Sequence, residues 1–237
     1  TSKSYHYKFL SKKYNSSGGL HVGNNIFSKD IYYQKYLPGK TYSISFIANG
    51  EYSRILGLNQ LFLVKDNIKF PFLHSGAMNL GLSEANIDFP KDFIFSICNL
   101  YQIKGYCSID FKIIDNKIYI LDFNPRLSSS YRLYTRKYEN LMHHHLGLID
   151  NELNMISNQY YAYIILYAKK DLVISDSINE LENISDRPTI GDSIKKDMPL
   201  FTINLHSNDK DDILFKIKNR IISAMKIIDC YNTQLEY

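Results

Sequence analysis

Asp110, Asp122 and Asn124 are the residues whose types and spacing could do chemistry. They fall in a run, 106–124, that reads as two antiparallel strands, 106–114 and 118–123, joined by Asp115, Asn116 and Lys117. With that three-residue connection Ile114 faces Ile118, Lys112 faces Ile120 and Asp110 faces Asp122. Asn124 follows on the same face, because strand side chains alternate with period two. The opposite face holds Ile109, Phe111, Ile113, Tyr119, Leu121 and Phe123, and is apolar without exception. Carboxylates directly opposed across a ladder, with Cβ atoms about 4.5–5.5 Å apart, repel one another. Such a pair calls for a cation, and oxygen donors with no His or Cys beside them suit a hard ion such as magnesium. Spacing alone leaves a second reading open. Either the two aspartates are solvated residues at a strand edge, or the turn has two residues, which would put them on opposite faces and push Asp122 or Asp110 into the core.

The elements that must position these residues are legible around them. Strands are expected at 5–10 and 31–37, the second stopped by Pro38-Gly39, with a polar glycine-bearing stretch at 15–19 between them. Alternation over 41–48, the turn signal Asn49-Gly50 and a partner strand at 53–64 make a hairpin. A helix fits 90–101, with Phe93, Ile94, Ile97 and Leu100 on one face and Pro90 in its first turn. A second fits 130–146, with Tyr131, Tyr134, Tyr138, Leu141 and His145 aligned. Strands at 160–168 and about 198–205 precede a final helix at 211–229, where Ile213, Leu214, Ile217, Ile221, Met225 and Ile228 recur at helical spacing.

The segment 105–126, with Asp110-Phe111 and Asp122-Phe123-Asn124-Pro125-Arg126, resembles the metal hairpin of ATP-grasp enzymes. The resemblance implies an α+β ATP-grasp fold of antiparallel sheets with packed helices. It also implies that Asp110, Asp122 and Asn124 hold Mg2+ (or Mn2+) on the phosphates of ATP, and that Arg126 contacts the transferred phosphate or the substrate. Many members have Glu where this chain has Asp122. Upstream, Lys8 with Ser16, Ser17, Gly18 and Gly19 resembles the family's phosphate lysine and glycine loop. Gln34, Lys35, Tyr36 and Leu37, ahead of Pro38-Gly39, resemble the hinge strand that reads adenine, although many members place Glu at Gln34 or Lys35. Thr41 stands where an acidic ribose contact is expected. The resemblance divides the chain into a partial lid (1–40), a metal-binding catalytic part (41–150) and a small carboxy-terminal α/β appendage (151–237), and leaves out the family's amino-terminal domain. Ile165-Leu166-Tyr167-Ala168, Asp186-Arg187-Pro188, Gly191 and Met198-Pro199 are similar to an appendage in a branch related to biotin carboxylase and encoded beside one-carbon cofactor genes.

The activity so implied is joining a small-molecule carboxylate to an amine through an acyl phosphate, with a second copy or a separate front domain as partner. A non-catalytic nucleotide-binding or scaffold module, and an all-β module that binds no ATP, are the competing classes. With 45% hydrophobic and 22% charged residues, the composition is that of an ordinary globular protein. The net charge of +4 is scattered rather than gathered into a stripe, which argues against nucleic acid. Cys98, Cys107 and Cys230 form no CxxC pair and suggest a reduced, cytoplasmic setting. No run approaches the ~18 apolar residues of a membrane span. The His143-His144-His145 run points in three directions if helical, so it reads as a solvated face with His145 partly toward the core.

Overall fold

The computed structural model describes residues 9–14, 19, 22–23, 29–81, 89–148 and 152–235. Its strands in chain order are β1 (Phe9–Lys13), β2 (Ile31–Lys35), β3 (Thr41–Asn49), β4 (Ser53–Val64), β5 (His74–Leu80), β6 (Lys104–Ile114), β7 (Lys117–Asn124), β8 (Tyr160–Tyr167), β9 (Leu172–Val173), β10 (Ile184–Ser185), β11 (Ser193–Ile194), β12 (Pro199–Ser207) and β13 (Thr233–Gln234). The helices are α1 (Lys91–Leu100), α2 (Tyr131–Tyr134), α3 (Leu141–His145) and α4 (Lys210–Ile227).

Nine strands form one antiparallel sheet in the order β10-β12-β8-β5-β4-β3-β6-β7, with β13 joined to β4. β1 and β2 make a separate two-stranded sheet, as do β9 and β11. Because β8 hydrogen-bonds to β5, the large sheet runs on without a break across residue 150. Among the described residues no helix is long and apolar enough to cross a membrane.

The two faces of the large sheet differ in chemistry, and that difference makes the cleft. One face carries Ile44, Phe46, Met78, Ile109, Phe111 and Ile164, all buried under α1 and α4. On α4, Ile213, Ile217, Ile221 and Ala224 supply the inward stripe, while Asp209 caps the first turn by accepting from the Asp212 N–H. The reverse face carries a polar row across four strands. Asp110 pairs with Ser43, Ser43 with Asn59, and Asn59 with Asn79.

One end of that polar face is covered by helices. There α2, α3 and the turns between them bury Leu133, Tyr134, Tyr138 and Leu141. The continuous helix expected over 130–146 is broken into these two short pieces. Lys137 and Glu139 hand their backbone bonds to Ile156 and Asn154, and Asn140 adopts a left-handed φ of 51°. The aligned tyrosines nonetheless face inward, and the Tyr134 hydroxyl donates to Asn59 at 2.8 Å. His145 Nδ1 accepts from the Tyr106 N–H at 2.9 Å. Among the described residues no group of three His, Cys, Asp or Glu side chains stands ready for a metal.

Candidate functional site

The β6–β7 hairpin reaches its pairing by a different route from the one the spacing suggested. Asp115 and Asn116 both adopt left-handed φ, 50° and 59°, and form a two-residue connection from Ile114 to Lys117. This is the hairpin turn that Asp and Asn favour, and it corrects the expected three-residue link. Near the tip Lys112 therefore faces Tyr119, and Ile118 packs on the core while Tyr119 is 39% exposed. Continued unbroken, that register would send Asp122 toward the apolar face opposite Ile109. Instead Leu121 is an extra residue in β7, a β-bulge between the pairs Phe111–Ile120 and Asp110–Asp122. Turn and bulge together restore Asp110 opposite Asp122 and bring Asn124 opposite Ser108. The bulge also presents the Leu121 carbonyl, which accepts from Gln34 Nε2 at 3.1 Å and so ties the β1–β2 sheet to the hairpin.

The electrostatics follow from this geometry. Burial pushes the Asp110 carboxyl up to about 6; the Asp122 charge adds to the rise, against a hydrogen bond from Ser43 and the charges of Lys12 and Arg126. Asp122 is exposed, and its Oδ1 accepts from the Phe123 N–H at 3.0 Å. Arg126 Nη2 donates to Asn124 Oδ1 at 3.2 Å, and Nη1 to the Leu127 carbonyl at 3.0 Å. Lys12 faces this cluster from β1. Burial lowers its pKa, while Asp122 and Asp110 pull it back upward.

Lys12 was not legible as a site residue from the sequence. The signal lay in the alternation of β1, which puts Leu10 and Lys12 on one face with Gln34 and Tyr32 opposite them. That alternation is hidden when the strand is expected at 5–10 rather than at Phe9–Lys13. Lys8, Ser17 and Gly18 lie outside the described residues, as do Ser16 and His21. Gly19 is described: its φ is 83°, and an added Cβ would come within 1.8 Å of the Phe72 carbonyl oxygen.

One cleft of about 1790 Å³ connects these groups. Gln34, Lys35, Tyr36 and Leu37 line it on the side of β2, and Asp110, Asp122, Asn124 and Arg126 on the side of the large sheet. At the hinge Lys112 Nζ donates to the Gly39 carbonyl at 2.6 Å and lies 5.7 Å from the Tyr36 ring centre. Burial lowers its pKa to about 8. Two carboxylates and one amide oxygen are the donor set of a hard cation, and they are too few to enclose it. Magnesium characteristically takes one or two carboxylates and completes its shell with water and phosphate oxygens. The residues present fit that mode.

The far arm of the cleft holds His74, re-aimed by a second bulge. Phe62 pairs with Gly76 and Leu63 with His74, so Ser75 is the extra residue. His74 Nε2 lies 3.0 Å from the Tyr163 hydroxyl, and the Tyr167 hydroxyl donates to the His74 carbonyl at 2.9 Å. Burial lowers the His74 pKa to about 4.

His74 and Asp110 bias stability in opposite directions over the same pH range. A raised carboxyl pKa makes the folded state hold more protons than the unfolded chain between about 4 and 6, so its stabilisation fades as pH rises. A lowered imidazole pKa makes the folded state hold fewer protons between about 4 and 6.5, so stability grows with pH. Each contribution is on the order of 3 kcal/mol at full extent, and in the wild type they largely cancel. In Asp110→Asn, metal-free stability should therefore climb as pH rises from 4 to 6.5. In His74→Gln it should fall. Urea melts in EDTA read both slopes, and parallel profiles would refute the burial of these two groups.

The ATP-grasp domain family matches residues 2–130 of the chain. Among curated proteins, the uncharacterized protein MJ0776 of Methanocaldococcus jannaschii is 27% identical over 186 residues, covering 76% of this chain and 43% of that protein. Among solved structures, the L-amino acid ligase from Bacillus licheniformis aligns with a TM-score of 0.68 at 11% identity, covering 92% of this chain and 62% of that one. The biotin carboxylase–βγ-ATP complex from Campylobacter jejuni aligns with a TM-score of 0.63 at 11% identity, covering 96% and 59%. At these identities the structural likeness establishes the fold. The chain spans less than two thirds of each of these proteins.

Proposed function

Because this chain belongs to the ATP-grasp domain family, we propose that it is the nucleotide-binding, catalytic portion of an ATP- and Mg2+-dependent carboxylate–amine ligase. The observation that carries this reading is the facing pair Asp110–Asp122, with Asn124 beside it and Lys12 opposite, at the junction of lid and sheet. ATP lies between these elements, its adenine toward Gln34, Lys35, Tyr36 and Leu37, and its phosphates toward the hairpin. Lys8, Ser17, Gly18 and Gly19 complete the phosphate end. Asp110, Asp122 and Asn124 would hold magnesium (or manganese), which when bound would neutralise phosphate charge.

The protein's own groups do the rest. Lys12 adds a positive charge opposite the carboxylates, where charge shifts during transfer. Arg126, held beside Asn124, contacts the transferred phosphate or the substrate carboxylate. A carboxylate oxygen attacks the γ-phosphorus, the bond to the β-phosphate oxygen breaks, and ADP leaves. The amine then attacks the acyl carbon; its carbon–nitrogen bond forms as phosphate departs with the bonding pair and the amine loses a proton. Positioning and fixed charge dominate the first step.

In this reading the chain acts in the cytoplasm, and a further domain or a second copy completes the cleft. Residues 1–40 form the lid, 41–150 the catalytic part and 151–237 an appendage. The carboxy-terminal resemblance around Ile165 and Asp186 supports an acid and amine drawn from one-carbon cofactor assembly.

The full-length protein tests the proposal. Calorimetry should show ATP binding that depends on magnesium, and ADP should be released when an acid is supplied with hydroxylamine as a general amine. Tight magnesium-dependent binding with no turnover across a panel of acids would leave a nucleotide-binding scaffold. No magnesium-dependent binding at all would remove the whole assignment.

A further inference from the structure

Beside Asp110 and Asn124 runs a chain of hydroxyls, most of them buried, that the ligase reading leaves unused. Ser108, directly across the ladder from Asn124, donates to Ser128 Oγ at 3.1 Å. Ser128 and Ser130 lie 2.8 Å apart, and Ser130 lies 2.8 Å from the Tyr106 hydroxyl. Tyr106 donates to Ser45 at 2.7 Å, and Asn59 Nδ2 donates to the same oxygen at 2.9 Å. Ser45, Asn59 and Tyr106 are fully buried, Ser108 is 1% exposed and Ser130 is 4% exposed.

The proton order is fixed by counting. A hydroxyl has one hydrogen to give. Tyr106 gives its hydrogen to Ser45, so Ser130 must donate to Tyr106 and Ser128 to Ser130. The chain therefore runs one way, from Ser108 through Ser128, Ser130 and Tyr106 to Ser45. Burial holds the Tyr106 hydroxyl protonated, with its pKa up at about 12. Two links, Ser108–Ser128 and Ser130–Tyr106, tie the segment after Asn124, which carries Arg126, to β6, and the bonds of Tyr106 and Asn59 to Ser45 join β6 and β4 to β3. Such fully paired networks hold one arrangement because any broken link leaves a buried polar group unsatisfied.

We propose that this relay, through Tyr106, Ser128 and Ser130, positions Asn124 and Arg126 for the metal–nucleotide. The inference rests on the ligase reading. Its residues are positioning residues that act through Asn124 and Arg126.

The test is calorimetry of ADP binding to the full-length protein, once with magnesium and once in EDTA. Supporting groups behind metal ligands typically account for 10–100-fold in metal affinity. Tyr106→Phe and Ser128→Ala should weaken Mg·ADP binding roughly 10–100-fold while leaving ADP in EDTA unchanged. Ser128→Thr, which keeps the hydroxyl, should restore wild-type affinity. A merely structural role would weaken both forms alike, or neither. Ser128 is part-buried, so Ser128→Ala keeps the test readable if Tyr106→Phe folds poorly. Wild-type Mg·ADP affinity in Ser128→Ala overturns the relay alone, whereas a wild-type protein with no magnesium-dependent binding overturns the ligase reading with it.

Discussion

Asp110→Asn in the full-length protein is expected to lower magnesium-dependent ADP release by roughly two to three orders of magnitude, the range seen when one preorganised electrostatic group is removed. The substitution keeps size and shape, and an amide can still accept from Ser43. What it removes is a buried carboxylate of the cleft, where low polarisability makes its charge count most. The fold should survive. Burial and the neighbouring Asp122 already disfavour the Asp110 charge, so above pH 6 the metal-free variant should melt no lower than wild type. Asp122→Asn should act in the same direction with a smaller loss, because Asp122 is exposed and water screens it. Turnover in Asp110→Asn equal to wild type would remove the metal assignment.

The second large effect concerns stability. Gly76 sits at φ 143°, and an added Cβ would lie 2.1 Å from the Tyr163 carbonyl oxygen and 3.0 Å from Ile164 Cα. Both obstacles are backbone, so no side chain can swing aside. Gly76→Ala combines a φ that only glycine adopts freely with separation of β5 from β8. A loss of about 3–5 kcal/mol is expected, in the range of severe single substitutions. For a domain of this size that corresponds to a fall in melting temperature of roughly 10 °C. His74 would lose its alignment with Tyr163 as well. A urea midpoint within error of wild type would show that the two strands do not approach as closely as described.

Much of the fold could be read from alternation and helical period. β4 runs over the span expected for it, and α1 and α4 differ from expectation by a residue or two at their ends. The short strands β9, β10, β11 and β13 carry two residues each and leave no periodic trace. β5 was missed for a different reason. Its bulge at Ser75 and its small residues Gly76 and Ala77 interrupt the alternation that marks a strand.

The carboxylate pair was legible, but its cause was not. Spacing offered a three-residue turn that pairs Asp110 with Asp122, or a two-residue turn that separates them. The protein takes the two-residue turn and cancels its effect with the Leu121 bulge. Nothing about Leu121 as a residue type announces a bulge; it shows only in the ladder register, and Gln34 bonds to its carbonyl. Lys12 was overlooked because the strand frame was set too early in the chain. The break at Asn140 was overlooked because the tyrosine spacing satisfies a continuous helix and two short ones equally well.

The pairing of β5 with β8 has a practical consequence for anyone cutting or recombining this gene. A truncation at residue 150 would strip β8, β12 and α4 from a sheet whose interior they complete. It would leave β5 as a raw edge and strip Met78 of its β8 neighbour Ala162, a combination that invites aggregation. Chimeras that swap the family-matched segment should therefore carry the carboxy-terminal third with it.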